Sequence, residues 1–277
     1  MSDIHASAIV HPEAEIGEGA VIGPFCQIGP QVQVGKNTRI EGPTVITRRA
    51  RIGENVHIFP FVSLHHHSQD LKFHGEESWI EIGDGTTVRE HASIHGGTAK
   101  DGLVTRIGRR NLIMTGVHIG HDVQTEDEVI IASNTALGGH VYVERQAILG
   151  GLVGVHQFVR IGRLAMVSAA RIGGDIPPFA LLHRDGFLGV NLVGLRRRGY
   201  TLPQIRRLQR AYEEIFPAND KDGQDNAYRE RLLAVTQGVG NGDGDDEVLV
   251  RDFLRFLNED NKRHLETLLF RPPDGAQ

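Results

Sequence analysis

The amino-acid sequence predicts an all-β parallel β-helix followed by a small α-helical C-terminal domain. Three observations carry that prediction. An aliphatic residue falls at every sixth position from Ile4 to Leu64, through Val10, Ile16, Ile22, Ile28, Val34, Ile40, Ile46, Ile52 and Ile58. A period of six fits neither a 3.6-residue helix nor a simple alternating strand, so each hexad reads as one flat side of a coiled ribbon, with three sides and 18 residues per coil. The 34 glycines and 6% aromatic residues suit stacked coils filled by aliphatic ladders. Beyond about Gly189 the hexads stop and apolar spacings of three and four begin.

The first stretch of hexads gives way to a polar segment at residues 65 to 81, after which Ile82, Val88 and Ile94 continue the same count. That segment therefore reads as a loop thrown out of an intact solenoid. A second interruption, near 95 to 106, shifts the phase by one residue, and the rhythm resumes at Ile107, Ile113 and Ile119. It then runs from Ile131 through Leu137, Val143, Leu149, Val155 and Ile161 to Val167, and Thr125 alone breaks it. Glycine often follows the aliphatic residue, as at Ile16-Gly17, Ile28-Gly29 and Ile119-Gly120, which places glycines at corners where backbone freedom is expected.

The 277 residues divide on this reading into a solenoid, 1–190, and a helical domain, 191–277. In the latter, Thr201 caps a helix with Pro203 in its first turn, and Ile205, Leu208, Tyr212, Ile215 and Phe216 form its apolar stripe. A second helix is expected near Asn226 to Thr236 and a third from Asp245, joined by the glycine-rich segment Gly238 to Gly244. A single cysteine, Cys26, excludes an internal disulfide and sits where burial is expected. The start, Met1 to Val10, has no basic and apolar signal region, and the longest apolar run, Ala147 to Val155, is too short to span a membrane. A cytoplasmic protein without stable membrane insertion is the expectation.

The formal charge of -5 hides an asymmetry, because residues 160 to 210 hold ten arginines and two acids. An acidic partner could dock there. Nucleic acid is not expected, since no aromatic platform accompanies the arginines.

Chemistry collects in the second solenoid segment, at His118-Ile119-Gly120-His121-Asp122, Gly138-Gly139-His140 and His156-Gln157-Phe158. Gly139 lies 18 residues after His121, and Gln157 lies 18 after Gly139, so one coil repeat stacks them on one edge. A histidine beside an aspartate is suited to general-base catalysis near neutral pH. A glycine amide one coil away can face the oxygen that becomes negative in acyl transfer. No Gly-x-Ser-x-Gly elbow or reactive cysteine is present, which favours direct attack by an activated acceptor. A zinc site built on His118, His121 and a third histidine across a subunit boundary is the sharper rival. The run His65-His66-His67 reads as solvated, in an exposed loop, or as lining a ligand entrance.

These motifs, with Gln69-Asp70-Leu71-Lys72, Asp175-Ile176-Pro177-Pro178 and Gly189-Val190-Asn191 through Arg196-Arg197-Arg198-Gly199-Tyr200, resemble the UDP-N-acetylglucosamine O-acyltransferases of lipid A biosynthesis over nearly the whole chain. The resemblance implies a left-handed coil, a homotrimer with active sites in the clefts between subunits, and no cofactor or metal. It implies an acyl carrier protein, whose phosphopantetheine thioester is the donor, and UDP-N-acetylglucosamine as acceptor. His121 matches the catalytic base, Asp122 its partner and Gly139 the oxyanion-hole amide. Asp70, Lys72, His95, His118, His140, His156 and Gln157 match substrate-binding positions, and Asn191, Arg197 and Arg198 match the segment holding the nucleotide. The arginine-rich stretch becomes a dock for the carrier protein.

The chain departs from the enterobacterial pattern at Gly96-Gly97-Thr98, where an arginine follows the motif histidine, and at Val193, where glutamate is frequent. Ser168 and Ala169 stand in for smaller glycines near the end of the expected acyl groove, which points to a shorter acyl chain. N-acylation of a 3-amino sugar nucleotide by the same machinery is a close alternative. A zinc-dependent carbonic anhydrase of the same architecture and a non-catalytic solenoid scaffold are alternatives from other classes.

Overall fold

The computed structural model describes residues 1–168, 171–183, 186–217, 226–239, 245–259 and Leu265. Each hexad supplies one short strand, and each strand pairs in parallel with the strands one coil below and one coil above. Three faces result, with eleven, nine and eight strands among the described residues. The register follows the ladder: on the first face Ile22 pairs with Ile40, Ile40 with Ile58, Ile58 with Val88, and Val88 with Ile113. The aliphatic side chains of all three faces point inward and fill the coil. Ile40, Ile46, Ile58, Ile113, Ile119 and Ile131 have no exposed surface, and Cys26 is buried among them.

Thr125, the polar break in the ladder, is accommodated by hydrogen bonds. Its hydroxyl accepts from Asn111 Nδ2 at 2.7 Å and from the Gly108 N–H at 3.2 Å, so this hydroxyl is not stranded inside the coil.

The corner glycines have a different cause from the one expected. Gly17, Gly29 and Gly35 do not adopt left-handed backbone; a Cβ on Gly29 would lie 1.8 Å from the carbonyl oxygen of Thr47 in the next coil, and one on Gly35 2.4 Å from that of Gly53. Close approach of stacked corners, rather than backbone freedom, excludes a side chain there. The left-handed residue comes three positions after the ladder residue and is usually not glycine: Phe25, Gln31, Asn37, Asn55, Asp122, His140 and Phe158 all have φ between 54° and 66°.

Both insertions leave the coil at the same corner, where the second face turns into the third. Leu64 and Ile82 stand 18 positions apart where Ile28 and Val34 stand six apart, so the first insertion adds two whole hexads and keeps the phase. The third-face strand already begins at Trp79, so the last three residues of the expected loop are strand, and Arg51 lies over the Trp79 ring at 4.0 Å. His65 is not exposed as the loop reading had it. It is buried, with Nε2 donating to the Ser78 carbonyl at 2.7 Å, and Gly96 leaves the room it needs, since a Cβ there would lie 2.7 Å from that nitrogen. The second insertion carries a 3₁₀ turn at Ala99–Asp101 and rejoins at the strand Val104–Ile107.

The last coil ends in a hairpin, Ala180–His183 with Gly186–Val190, and four helices follow: α1 (Leu192–Arg197), α2 (Leu202–Ile215), α3 (Asn226–Gly238) and α4 (Val248–Asn258). The expected cap of α2 is present as a reciprocal capping box between Thr201 and Gln204. The short helix α1 is an addition to the sequence reading. Of the segment expected as a linker, 240–244 lies outside the described residues. Tyr212 of α2 stacks on Phe253 of α4 at 4.1 Å, and its hydroxyl donates to the Pro178 carbonyl of the solenoid at 2.5 Å. Arg163 reaches from the solenoid to Asp252 and to the Tyr200 hydroxyl.

Much of the basic cluster is thereby consumed within the chain. Arg160 pairs with Asp175 and Glu259, Arg163 with Asp252, Arg198 with Glu128 and Arg207 with Glu247. Arg196, Arg197, Arg206 and Arg210 keep exposed side chains on α1 and α2. The ladder itself is open to a direct test. Ile131→Ala removes a fully buried side chain and is expected to cost about 2–5 kcal/mol, whereas Ile4→Ala, at 43% exposure, should cost about 0.5 kcal/mol or less, both read from denaturant midpoints.

Candidate active site

His121 and Asp122 occupy the corner between the second and third faces, one coil above the second insertion. Asp122 takes the left-handed position of that corner, with φ 60°, and His121 precedes it. His121 Nδ1 lies 2.7 Å from Asp122 Oδ2. With the carboxylate ionised, Nδ1 carries the proton and Nε2 is left as an acceptor, the arrangement a general base requires. Asp122 is almost wholly buried, yet it accepts from the Thr98 N–H and the Thr98 hydroxyl, each at 2.7 Å. Burial pushes its carboxyl up, but the hydrogen bonds from His121 and Thr98 together outweigh burial and hold it below the ordinary carboxylate value.

Gly139 sits one coil above His121. A Cβ on it would lie 2.4 Å from His121 Cε1 and 2.5 Å from Nε2, so only glycine leaves space for the imidazole. The corner scheme pairs the Gly138 N–H with the Val155 carbonyl and the His140 N–H with the His121 carbonyl, and gives the intervening Gly139 N–H no backbone acceptor among the described residues. Base and unpaired amide thus lie side by side. His140 meets His121 edge to face at 4.9 Å between ring centroids and stacks on Phe158 at 4.4 Å.

On the second face, His118 projects outward, its Nδ1 2.9 Å from the Ser93 hydroxyl, and meets His95 edge to face at 5.2 Å. The positions in register above it are Ala136 and Gly154, whose small size opens a groove. Burial lowers the proton affinity of both His118 and His95; the nearby His95 lowers that of His118 further, and His66 and His121 do the same to His95. His95 Nδ1 donates to the His67 carbonyl at 3.0 Å, which ties the first insertion to the site.

A cleft of about 780 Å³ gathers Asp70, Lys72, His95, His118, His121, Gly139, His140, His156 and Gln157, with Asp122 directly behind His121. Nine expected site residues are therefore brought together. Lys100 and Arg171 also line it and were missed by sequence reasoning; Phe158, quoted only within its motif, lines it too, and the coil arithmetic that stacks Gln157 above Gly139 points equally to Phe158 above His140. Thr98 was read only as part of a departure from a pattern.

Four expected residues lie elsewhere in the chain. Asn191 is buried as the cap of α1, its Oδ1 accepting from the Gly194 N–H and its Nδ2 donating to the Leu164 carbonyl. Arg197 and Arg198 lie on or just after α1, outside this cleft. Ser168 donates to the Leu182 carbonyl and is not in the cleft lining, and Ala169 lies outside the described residues. A larger groove of about 1140 Å³ follows the corner between the third and first faces. Its central charges, Arg51, Glu81 and Arg106, are satisfied by one another, so it offers no comparable chemistry.

His121, Asp122 and His140 bring three possible metal-ligand atoms within 4.8 Å of one another. His118 is not in that group. Asp122 Oδ2 already accepts from His121 and from Thr98, which suits a positioned hydrogen-bond pair better than a ligand.

A solenoid with a six-residue repeat and a histidine–carboxylate pair at one corner defines a hexapeptide-repeat transferase. Residues 13–48 match the bacterial transferase hexapeptide family, and residues 175–265 match the second domain of UDP-N-acetylglucosamine O-acyltransferase. The acyl-[acyl-carrier-protein]–UDP-N-acetylglucosamine O-acyltransferase of Burkholderia orbicola is 40% identical over 254 residues, covering 90% of this chain and 95% of that one. The enzyme of the same name from Synechocystis is 43% identical over 180 residues, 64% of this chain and 63% of that one. The crystal structure of the UDP-N-acetylglucosamine acyltransferase of Francisella novicida superimposes with a TM-score of 0.87 at 32% identity, covering 98% of this chain and 95% of that one. The chain belongs to the UDP-N-acetylglucosamine O-acyltransferase family, and its coil is the left-handed parallel β-helix of that family.

Two outcomes follow from this geometry. Gly139→Ala should displace the His121 ring, seen as altered imidazole NMR signals, while shifting Tm by about 4 °C or less because the backbone there tolerates a side chain. Burial lowers the proton affinity of His65, His95 and His118, so the unfolded chain binds more protons than the folded one once pH drops below about 6.5. Stability is therefore expected to fall as pH goes from 7.5 to 5.5, with a smaller fall in His118→Gln, as measured by thermal melts in matched ionic strength.

Proposed function

We propose that the chain transfers an acyl group, expected to be 3-hydroxyacyl, from acyl carrier protein to the 3-hydroxyl of UDP-N-acetylglucosamine, the first step of lipid A biosynthesis, in the cytoplasm. The observation that carries this reading is the His121–Asp122 pair set against the unpaired Gly139 amide in a cleft lined by polar residues. His121 Nε2 takes the proton of the attacking hydroxyl as its oxygen bonds to the thioester carbonyl carbon. Asp122 stabilises the resulting imidazolium, and the Gly139 N–H receives the carbonyl oxygen as it becomes negative. Collapse of that intermediate expels the pantetheine thiolate, which takes the proton from His121.

Asp70, Lys72, His95, His118, His140, His156 and Gln157 would then hold the two substrates in the cleft. In a homotrimer, Asn191, Arg197 and Arg198, which lie away from the cleft of their own chain, would serve a neighbour's. The upper first face offers a surface for that contact: Leu112, Ile130, Ile148 and Met166 point outward from successive strands in register and are only partly covered. The exposed Arg196, Arg197, Arg206 and Arg210 would meet the acidic carrier protein. We divide the chain accordingly into a catalytic solenoid, 1–190, and a helical domain, 191–277. No helix among the described residues is long and apolar enough to cross a membrane.

The test is a mass-spectrometric transfer assay in which UDP-N-acetylglucosamine and its 3-amino analogue compete for a panel of 3-hydroxyacyl carrier proteins. An O-acylated product is expected, and His121→Ala should reduce its rate by on the order of 10² to 10⁴. An N-acylated product, or none with any donor, would overturn the assignment. Chelator treatment separates the metal reading suggested by His121, Asp122 and His140: activity is expected to survive it, and loss restored by zinc would move the assignment to a metalloenzyme.

A further inference from the structure

The second insertion wraps around Asp122. Thr98, at its start, is 5% exposed and holds both carboxylate oxygens, its N–H donating to Oδ1 and its hydroxyl to Oδ2. Thr105, near its end, accepts from the Asp122 N–H at 2.9 Å. Gly97 closes the base of the insertion, where a Cβ would lie 2.2 Å from the Val104 nitrogen. Between these points, Asp101 Oδ2 accepts from His140 Nδ1 at 2.8 Å, and the Lys100 ammonium lies 5.0 Å from the centre of the Phe158 ring.

Asp122 has two imidazoles within reach. Its Oδ2 is 2.7 Å from His121 Nδ1 and 3.8 Å from His140 Nε2. A small rotation of the carboxylate would exchange one partner for the other, and the catalytic geometry depends on which is chosen. Two donors from Thr98 leave the carboxylate one orientation. Asp101 at the same time draws His140 from its opposite ring nitrogen. We propose that Thr98 is a positioning residue that, together with Asp101, assigns Asp122 to His121 and withholds it from His140. The inference rests on His121 as the base of the proposed transfer, and it gives a chemical purpose to the insertion that breaks the hexad phase.

Thr98→Val keeps the shape of the side chain and removes the hydroxyl; Thr98→Ser keeps the hydroxyl. In the intact protein, ¹⁵N imidazole NMR without substrates is expected to show His121 protonated at Nδ1, Thr98→Val to give a mixed tautomer population, and Thr98→Ser to restore the Nδ1 form. In the transfer assay, Thr98→Val should lower kcat by on the order of 10- to 100-fold with the KM for the sugar nucleotide changed by about threefold or less, and Thr98→Ser should recover most of it. Thermal melts establish that each variant is folded. A folded Thr98→Val with wild-type His121 tautomer and kcat within about twofold overturns the proposal. The NMR arm needs no substrate, so it decides the role of Thr98 even where the transfer reading itself fails.

Discussion

The parallel register of the coil is the constraint on which everything else depends. Because each strand pairs with its counterparts one coil away, residues 18 apart in unbroken hexads share a column at about the spacing of neighbouring strands. The aliphatic ladder enforces that register. A slip of one residue would turn buried isoleucines outward and bring polar corner residues into the coil. His121, Gly139 and Gln157 owe their alignment to this rule, as do Asp122, His140 and Phe158 in the left-handed column beside them. No local sequence feature of any one coil creates the cleft.

The three corners of the coil have diverged while the ladder within has not. One corner carries both insertions and the histidines. Another carries a charged groove whose arginines and glutamates satisfy each other. The faces differ too: the second offers small residues beside His118, the upper part of the first offers a partly covered aliphatic stripe, and the third alternates charges. The helices α2 and α4 are anchored to the last coils through Arg160, Arg163 and Tyr212. Arginines that look available for a partner when read as a string are in several cases the joints between the two parts of the chain.

What was legible in the sequence was whatever the register repeats. The ladder, the stacking of His121, Gly139 and Gln157, and the capping box at Thr201 all depend on spacing or on neighbours within a few residues, and spacing is visible in a string. The readings at His65 and Thr98 fell short for one physical reason, contact between segments whose separation is not a coil repeat. His65 is buried where the Ser78 carbonyl, across an insertion, accepts a hydrogen bond from its Nε2–H and Gly96 leaves it room. Thr98 holds Asp122 from 24 residues away, a distance set by the length of an insertion and not by the hexad. Asn191 has a further task that spacing does not show, its amide being engaged in starting α1. The corner glycines were identified correctly and explained wrongly, because the string does not show the carbonyl of the next coil.

Placing both insertions at a single corner has a thermodynamic consequence. Lengthening a connection whose ends are already fixed carries a closure entropy that grows only logarithmically, about 0.6 kcal/mol for each doubling of loop length. Removing one ladder side chain from the interior costs several times that. A corner is therefore the place where this architecture can acquire chain at little expense in stability, and the added chain emerges beside every other corner in the same column. Loops of unrelated length, one in phase with the hexads and one out of phase, have in this way been delivered to a common point without any change in the coil that carries them.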